Sequence, residues 1–189
     1  MKKLTKKSLD ELAENALNVS ELEQQTIIGG AFYFDYSGNY LGSSGPGSDI
    51  RIATGLGSIS TSIPFSEAAS STVGGVLTNM AHLIGYSGTV GTDFFENPGK
   101  YAQAAGGQIT YNMGSPAFDQ GNYFDFLCTL IHENHHVITP YDAGTPQSEY
   151  YAYRAVKDSY FYSLVSNEYR AHIESSYNHY GSLLGYSFF

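Results

Sequence analysis

The sequence predicts an α+β fold, and three observations carry that prediction. Short runs rich in β-branched and aromatic residues, Ala31 to Tyr36, Ile50 to Ala53 and Gln108 to Met113, read as strands. Longer stretches, residues 66–84, 122–138 and from 148 onward, place apolar residues at helical spacing instead. Loops rich in Gly and Ser separate the two kinds of segment. A chain of 189 residues suits one domain with a sizeable core.

Residues 1–30 differ in kind from the rest. They hold four of the nine basic and five of the eighteen acidic residues, contain no aromatic residue, and end in Gly29-Gly30. Basic residues open the segment, but no apolar run of about 7–15 residues follows, so it does not read as a Sec signal peptide. Nor does any stretch of the chain read as membrane-spanning. Leu9, Leu12, Ala16, Val19 and Leu22 are spaced as the apolar stripe of a helix. With Gly29-Gly30 behind it, this stripe resembles the double-glycine leaders of bacterial secreted peptides, especially the MKKL-type leaders of Bacteroidetes natural-product precursors. Glu21-Leu22 stand two residues farther from the glycines than in the common form. The resemblance implies a peptidase-containing ABC exporter that cuts after Gly30, a precursor in the cytoplasm, and a secreted domain of residues 31–189. A bare glycine backbone suits the cut, because it can thread a narrow protease cleft. The competing reading is an ordinary amphipathic helix packed on the domain.

From Ala31 the elements follow in order. The aromatic run to Tyr36 is strand-like, and Gly38 to Ser48 reads as a flexible Gly/Ser loop without phosphate-loop spacing. Ile50 to Ala53 is a second strand. Ser66 can cap a helix reaching Ile84, with Val73, Val76, Leu77, Met80, Leu83 and Ile84 on its buried side and Gly74-Gly75 weakening it. His82 is expected on or beside that side, as a structural histidine. Gly85 to Gly99 is turn-rich, and Gln108 to Met113 leads toward the next helix as a strand.

Leu130 to Pro140 reads LIHENHHVITP, in which His132, Glu133 and His136 spell H-E-x-x-H. On a helix the two histidines lie one turn apart on one face and can share a metal, with Glu133 beside them. Zinc lowers the pKa of a water bound to it to about 7, so a neighbouring carboxylate can take its proton at neutral pH. Phe124, Leu127, Ile131 and Ile138 give an apolar face apart from the histidines. Thr139-Pro140 stops the helix, because proline disfavours helix at the residue before it. His135 points elsewhere, and Cys128 reads as a small buried apolar side chain. The alternative makes His132 and His136 ordinary polar residues on a solvated face.

A catalytic zinc needs a third protein ligand and one open position. Glu149 comes thirteen residues after His136, behind a Gly144-Thr145-Pro146 turn and in the first turn of a helix expected to start near Ser148. The helix dipole favours a carboxylate there. H-E-x-x-H followed by Glu149-Tyr150-Tyr151-Ala152, an E-x-x-A, resembles the gluzincin branch of the zincin metallopeptidases, and the short spacing is similar to compact toxin- and effector-type members. The resemblance implies a small zincin-like domain in which His132, His136 and Glu149 hold Zn2+. Glu133 would then be general base and later proton donor. Asp142, His172, Glu174 and His179 stay open as third ligands, and Asp142 could instead orient a histidine. In the zincin layout an edge strand precedes the active helix and pairs with an extended peptide, which would make Ile109, Thr110, Tyr111 and Asn112 the substrate-binding strand. A tyrosine between Tyr150 and Tyr169, or His172 or His179, could stabilise the tetrahedral intermediate.

Composition sets the outer limits. A net charge of −9 argues against a nucleic-acid partner, since phosphate binding needs a basic face. One cysteine excludes an intramolecular disulfide framework. The 17 tyrosines are expected mainly in packing, and the helix after Glu149 is expected to run to about His179. The chain therefore reads as a secreted zinc metallopeptidase acting on peptide or protein, with a toxin-like role in view. Its rivals are a non-enzymatic bacteriocin-like or binding protein, and a domain in which zinc is structural.

Overall fold

Alternation in the segment after Gly30 builds the first sheet. β1 (Ala31–Phe34) turns Phe32 and Phe34 inward, 1% and 2% exposed. The computed structural model describes residues 30–44, 47–55, 59, 61–139 and 144–186. The expected leader up to Gly29 and the rival ligand Asp142 lie outside the described residues, whereas Gly30 is described and buried.

β1 pairs antiparallel with β2 (Tyr40–Ser44) and parallel with β3 (Ile50–Ala53), and β4 (Ser62–Pro64) closes the order β2-β1-β3-β4. β2 lies inside the stretch expected to be a flexible loop. Its partner strand supplies the ladder that its Gly and Ser residues do not favour by themselves. The second sheet has the order β5-β7-β6, from β5 (Val90–Asp93), β6 (Ala102–Ala105) and β7 (Gln108–Asn112). β5 is parallel to β7 and β6 antiparallel to it.

The first helix is shorter than expected. Phe65–Glu67 form a 3-10 turn, and α1 (Ser70–Leu83) begins after an extended Ala69 with no side-chain cap. Val73, Val76, Leu77 and Met80 are fully buried as the spacing predicts, but Leu83 is 53% exposed. His82 is exposed too, its Nε2 3.2 Å from the Gly88 carbonyl. The Gly74-Gly75 pair has a reason. A Cβ on Gly75 would meet the Ser37 carbonyl at 2.8 Å, where the β1–β2 turn crosses the helix with Gly38 at φ 84°.

A short α2 (Pro116–Gln120) ends on left-handed Gly121 and delivers the chain to α3 (Tyr123–Ile138). The Asn122 side chain caps α3 by accepting from the backbone N–H of Phe124 and Asp125. At the other end Thr139 is extended, as a residue before proline should be. Stacking of Phe32 on Tyr123, 3.9 Å between ring centroids, fastens the first sheet to the start of α3. Tyr111 against Phe126, at 4.9 Å, fastens the second. Phe124 and Leu127 of α3 are buried as the spacing predicts, but the buried face is wider toward the helix start and does not reach its end. Phe126, Leu127 and Leu130 are at 0% exposure, while Ile138 is 68% exposed in the last turn.

The long C-terminal helix is two helices. α4 (Pro146–Asp158) starts two residues before the expected Ser148, with Thr145 as its cap and Pro146 at the first position. An extended Ser159, a 3-10 turn at Tyr160–Leu164 and a capping Ser166 separate it from α5 (Asn167–Leu183). Tyr150 meets Tyr177 and Lys157 meets Glu174, so α5 runs back along α4. The buried Asp125 carboxylate, in the first turn of α3, takes hydrogen bonds from the Ser166 N–H and hydroxyl at 2.9 and 2.7 Å. That tie fixes where the second helix begins.

One expectation is corrected here. Ile109, Thr110, Tyr111 and Asn112 do form a strand, but β7 is the middle strand of its sheet. Both of its edges are occupied, by β5 and β6, so Ile109 to Asn112 cannot pair with a peptide. The edge strands of that sheet are β5 and β6, and β6 packs against α3.

Candidate metal centre

The H-E-x-x-H spacing works as expected once α3 forms. His132 and His136 face the same cleft one turn apart, with Nε2 atoms 3.1 Å from each other. The first turn of α4 brings Glu149 opposite them. Its Oε2 lies 3.3 Å from His132 Nε2, and its Oε1 lies 3.6 Å from His136 Nε2. His132, His136 and Glu149 form a group that could hold a metal ion. Ligands about 2.0–2.2 Å from a tetrahedral ion stand about 3.3–3.6 Å from one another, so the observed separations fit a small tetrahedral ion with little movement.

The remaining rival ligands are dispersed. Glu174 is taken by Lys157 at 2.6 Å and by the Tyr162 hydroxyl at 2.5 Å. His179 is exposed on α5 and does not line the cleft. His172 does line it, packed against the Tyr101 ring at 5.0 Å, but stands outside the ligand group. Cys128 is fully buried away from the cleft, and burial pushes its thiol up to about 12.

The cleft has a volume of about 490 Å³. α3 contributes Thr129, His132, Glu133 and His136 to it, and α4 contributes Glu149 and Tyr153. Tyr169, His172, Ile173 and Tyr180 of α5 form the far wall. β6, with Lys100 and Tyr101 before it, forms the rim. Tyr153 rests its ring 4.4 Å from that of His132 and stacks on Tyr180, which steadies one histidine from the side. His136 turns its other nitrogen, Nδ1, to the Ser148 hydroxyl at 2.9 Å.

Charge and burial oppose each other across the site. Burial works to raise the Glu149 pKa, but hydrogen bonds and charge from both histidines outweigh it and hold the carboxyl at about 2. For His136, burial favours the neutral ring, yet Glu149 and Glu133 together raise its pKa. Glu133 is 7% exposed, and burial raises its pKa although both histidines pull it down. Glu133 is thus more basic than an ordinary carboxylate, which suits a proton carrier at neutral pH. Burial, followed by the charge of His132, lowers the His172 pKa and keeps that ring neutral.

Sequence reasoning reached the ligand group and Glu133. It missed Ser148 and the β6 rim, because each arrives through the packing of separate elements. Of these only Ser148 carried a local signal, one residue before Glu149 in the capped first turn of α4. No protein-family model, curated protein or solved structure matches this chain.

Proposed function

We propose that this chain is a secreted zinc-dependent metallopeptidase that hydrolyses peptide bonds, with His132, His136 and Glu149 as the metal ligands and Glu133 as the general base. The observation that carries the reading is the ligand group itself: two imidazole nitrogens and a carboxylate at tetrahedral separations, with a buried glutamate beside them at the floor of an open cleft. Two nitrogens and one oxygen are a usual donor set for catalytic zinc, which needs three protein ligands and an open fourth position. Zinc held there would supply a Lewis acid and lower the pKa of water to about 7.

The chain's own groups would do the rest. Glu133 takes a proton from the attacking water as the new C–O bond forms, then passes it to the amine as the C–N bond breaks. Its burial raises its pKa above that of an ordinary carboxylate, which favours the first transfer. The outer edge of β6, which pairs with no other strand among the described residues, would offer its backbone N–H and C=O groups to an extended peptide, the role expected of Ile109 to Asn112. Backbone pairing binds many sequences, so Tyr153 and the α5 wall would supply such selectivity as there is.

The leader reading joins this proposal. Residues 1–30 would then be removed by a leader-cleaving exporter that cuts after Gly30. A peptidase leaving the cell this way suits a toxin or effector acting on neighbouring cells or a host.

Metal content of the purified full chain, wild type beside Glu149→Ala, tests the metal centre. We expect about one zinc per chain, lost in the variant. Glu133→Gln should keep the zinc and lose about 10²- to 10⁴-fold in peptidase rate. Absence of zinc from both proteins would make H-E-x-x-H a coincidence and favour a non-enzymatic binding protein. Four protein ligands on the ion would make the zinc structural.

A further inference from the structure

Ser148 occupies the point where the two halves of the metal centre meet. It is fully buried, and its backbone N–H is held by the Thr145 hydroxyl at 3.2 Å in the first turn of α4. Its own hydroxyl lies 2.9 Å from His136 Nδ1, and the next residue is Glu149.

Resting on the metal-centre reading above, we propose that Ser148 is a positioning residue that locks His136 in the one tautomer able to bind a metal through Nε2. A neutral imidazole carries its proton on one ring nitrogen and a lone pair on the other. His136 Nε2 faces His132 and Glu149 and must present the lone pair there, so the proton belongs on Nδ1. The Ser148 oxygen accepts that N–H. Were Ser148 to donate instead, the proton would move to Nε2 and block the ligand position.

Nothing equivalent serves the other histidine. His132 Nδ1 is buried and has no hydrogen-bond partner among the described residues. Among the described residues, orientation of the pair by hydrogen bonding to a neighbouring side chain rests on Ser148. Because Ser148 and Glu149 are consecutive, one capped helical turn delivers both the third ligand and the contact that aims the second. Loss of such an orienting contact costs about 10- to 100-fold in metal affinity.

The test measures zinc affinity of the full chain by competition with a chromogenic chelator. Ser148→Ala should bind zinc about 10- to 100-fold more weakly than wild type, while the metal-free chain still unfolds in one cooperative transition. Ser148→Thr keeps the hydroxyl and should bind more tightly than Ser148→Val, which has the same shape without it. Equal zinc affinity of wild type and Ser148→Ala, with wild type binding well, would defeat this assignment and leave the metal centre standing. No zinc bound by wild type would defeat both. A readout free of any variant's folding comes from the ¹⁵N spectrum of zinc-loaded wild type. Protonated Nδ1 and coordinated Nε2 on His136 are expected there, and coordination through Nδ1 overturns the proposal.

Discussion

The Glu149 carboxylate should stabilise the metal-free fold within a definite window of pH, and Glu149→Gln exposes it. The carboxyl lies against both imidazoles with a side chain only 19% exposed, and its pKa falls from an ordinary 4.5 to about 2. At about 1.4 kcal/mol per pKa unit, that drop is worth at most about 3.5 kcal/mol. Its folded pKa is depressed, so the contribution is complete above about 4.5 and is lost as pH falls toward 2. His136 has the opposite sign. Its raised pKa gives stability that is complete below an ordinary 6.5 and lost as pH rises through the folded value. The pair is therefore strongest between about pH 4.5 and 6.5. Urea unfolding in the presence of a chelator, for wild type and Glu149→Gln, measures it directly. The variant should lose up to about 3.5 kcal/mol near pH 5.5 and clearly less near pH 8.5. A difference that stays the same at both values, or none at either, refutes the reasoning.

Two further outcomes concern the scaffold. Phe126→Ala should destabilise the chain by about 3–5 kcal/mol in urea unfolding, because the ring is fully buried among Phe65, Tyr111 and Phe118. Asp125→Ala leaves the Ser166 N–H and hydroxyl without their acceptor and should cost about 2–4 kcal/mol. Burial raises the Asp125 pKa despite the Ser166 bonds, so its contribution should be largest in acid and shrink as pH rises, in parallel melts of wild type and variant.

What the sequence made legible was local. Pro140 as stop ends α3 within a residue of the expected place, because it acts on its own neighbourhood. The same holds for Glu149, whose place in a first turn after Thr145-Pro146 predicts where it faces. Strands β2, β5 and β6 escaped because runs such as VGTD and AQAA have little strand preference and form only by pairing. The central position of β7 escaped for the same reason, since neighbours in a sheet are chosen by chain segments far apart. The break at Ser159 to Ser166 depends on Asp125, more than thirty residues earlier in the chain. Ile138 fits the apolar spacing of α3 but extends past everything that could cover it. Patterning shows which face of a helix is apolar, and only the packed neighbours determine how far along the helix that face is used.

If β6 pairs with substrate as proposed, its edge, unpaired among the described residues, has a cost as well as a use. An unpaired strand edge accepts any extended backbone, including an unfolded copy of the same chain, and so invites self-association. Here the hazard is contained by length and charge. β6 is only four residues long, and Lys100 stands just before it, so a second copy could gain few backbone bonds and would meet a cation at the entrance. A peptide that also fills the neighbouring cleft gains more than the edge alone can offer. In the proposed peptidase the short edge would thereby discriminate against sticky partners before any side chain is read.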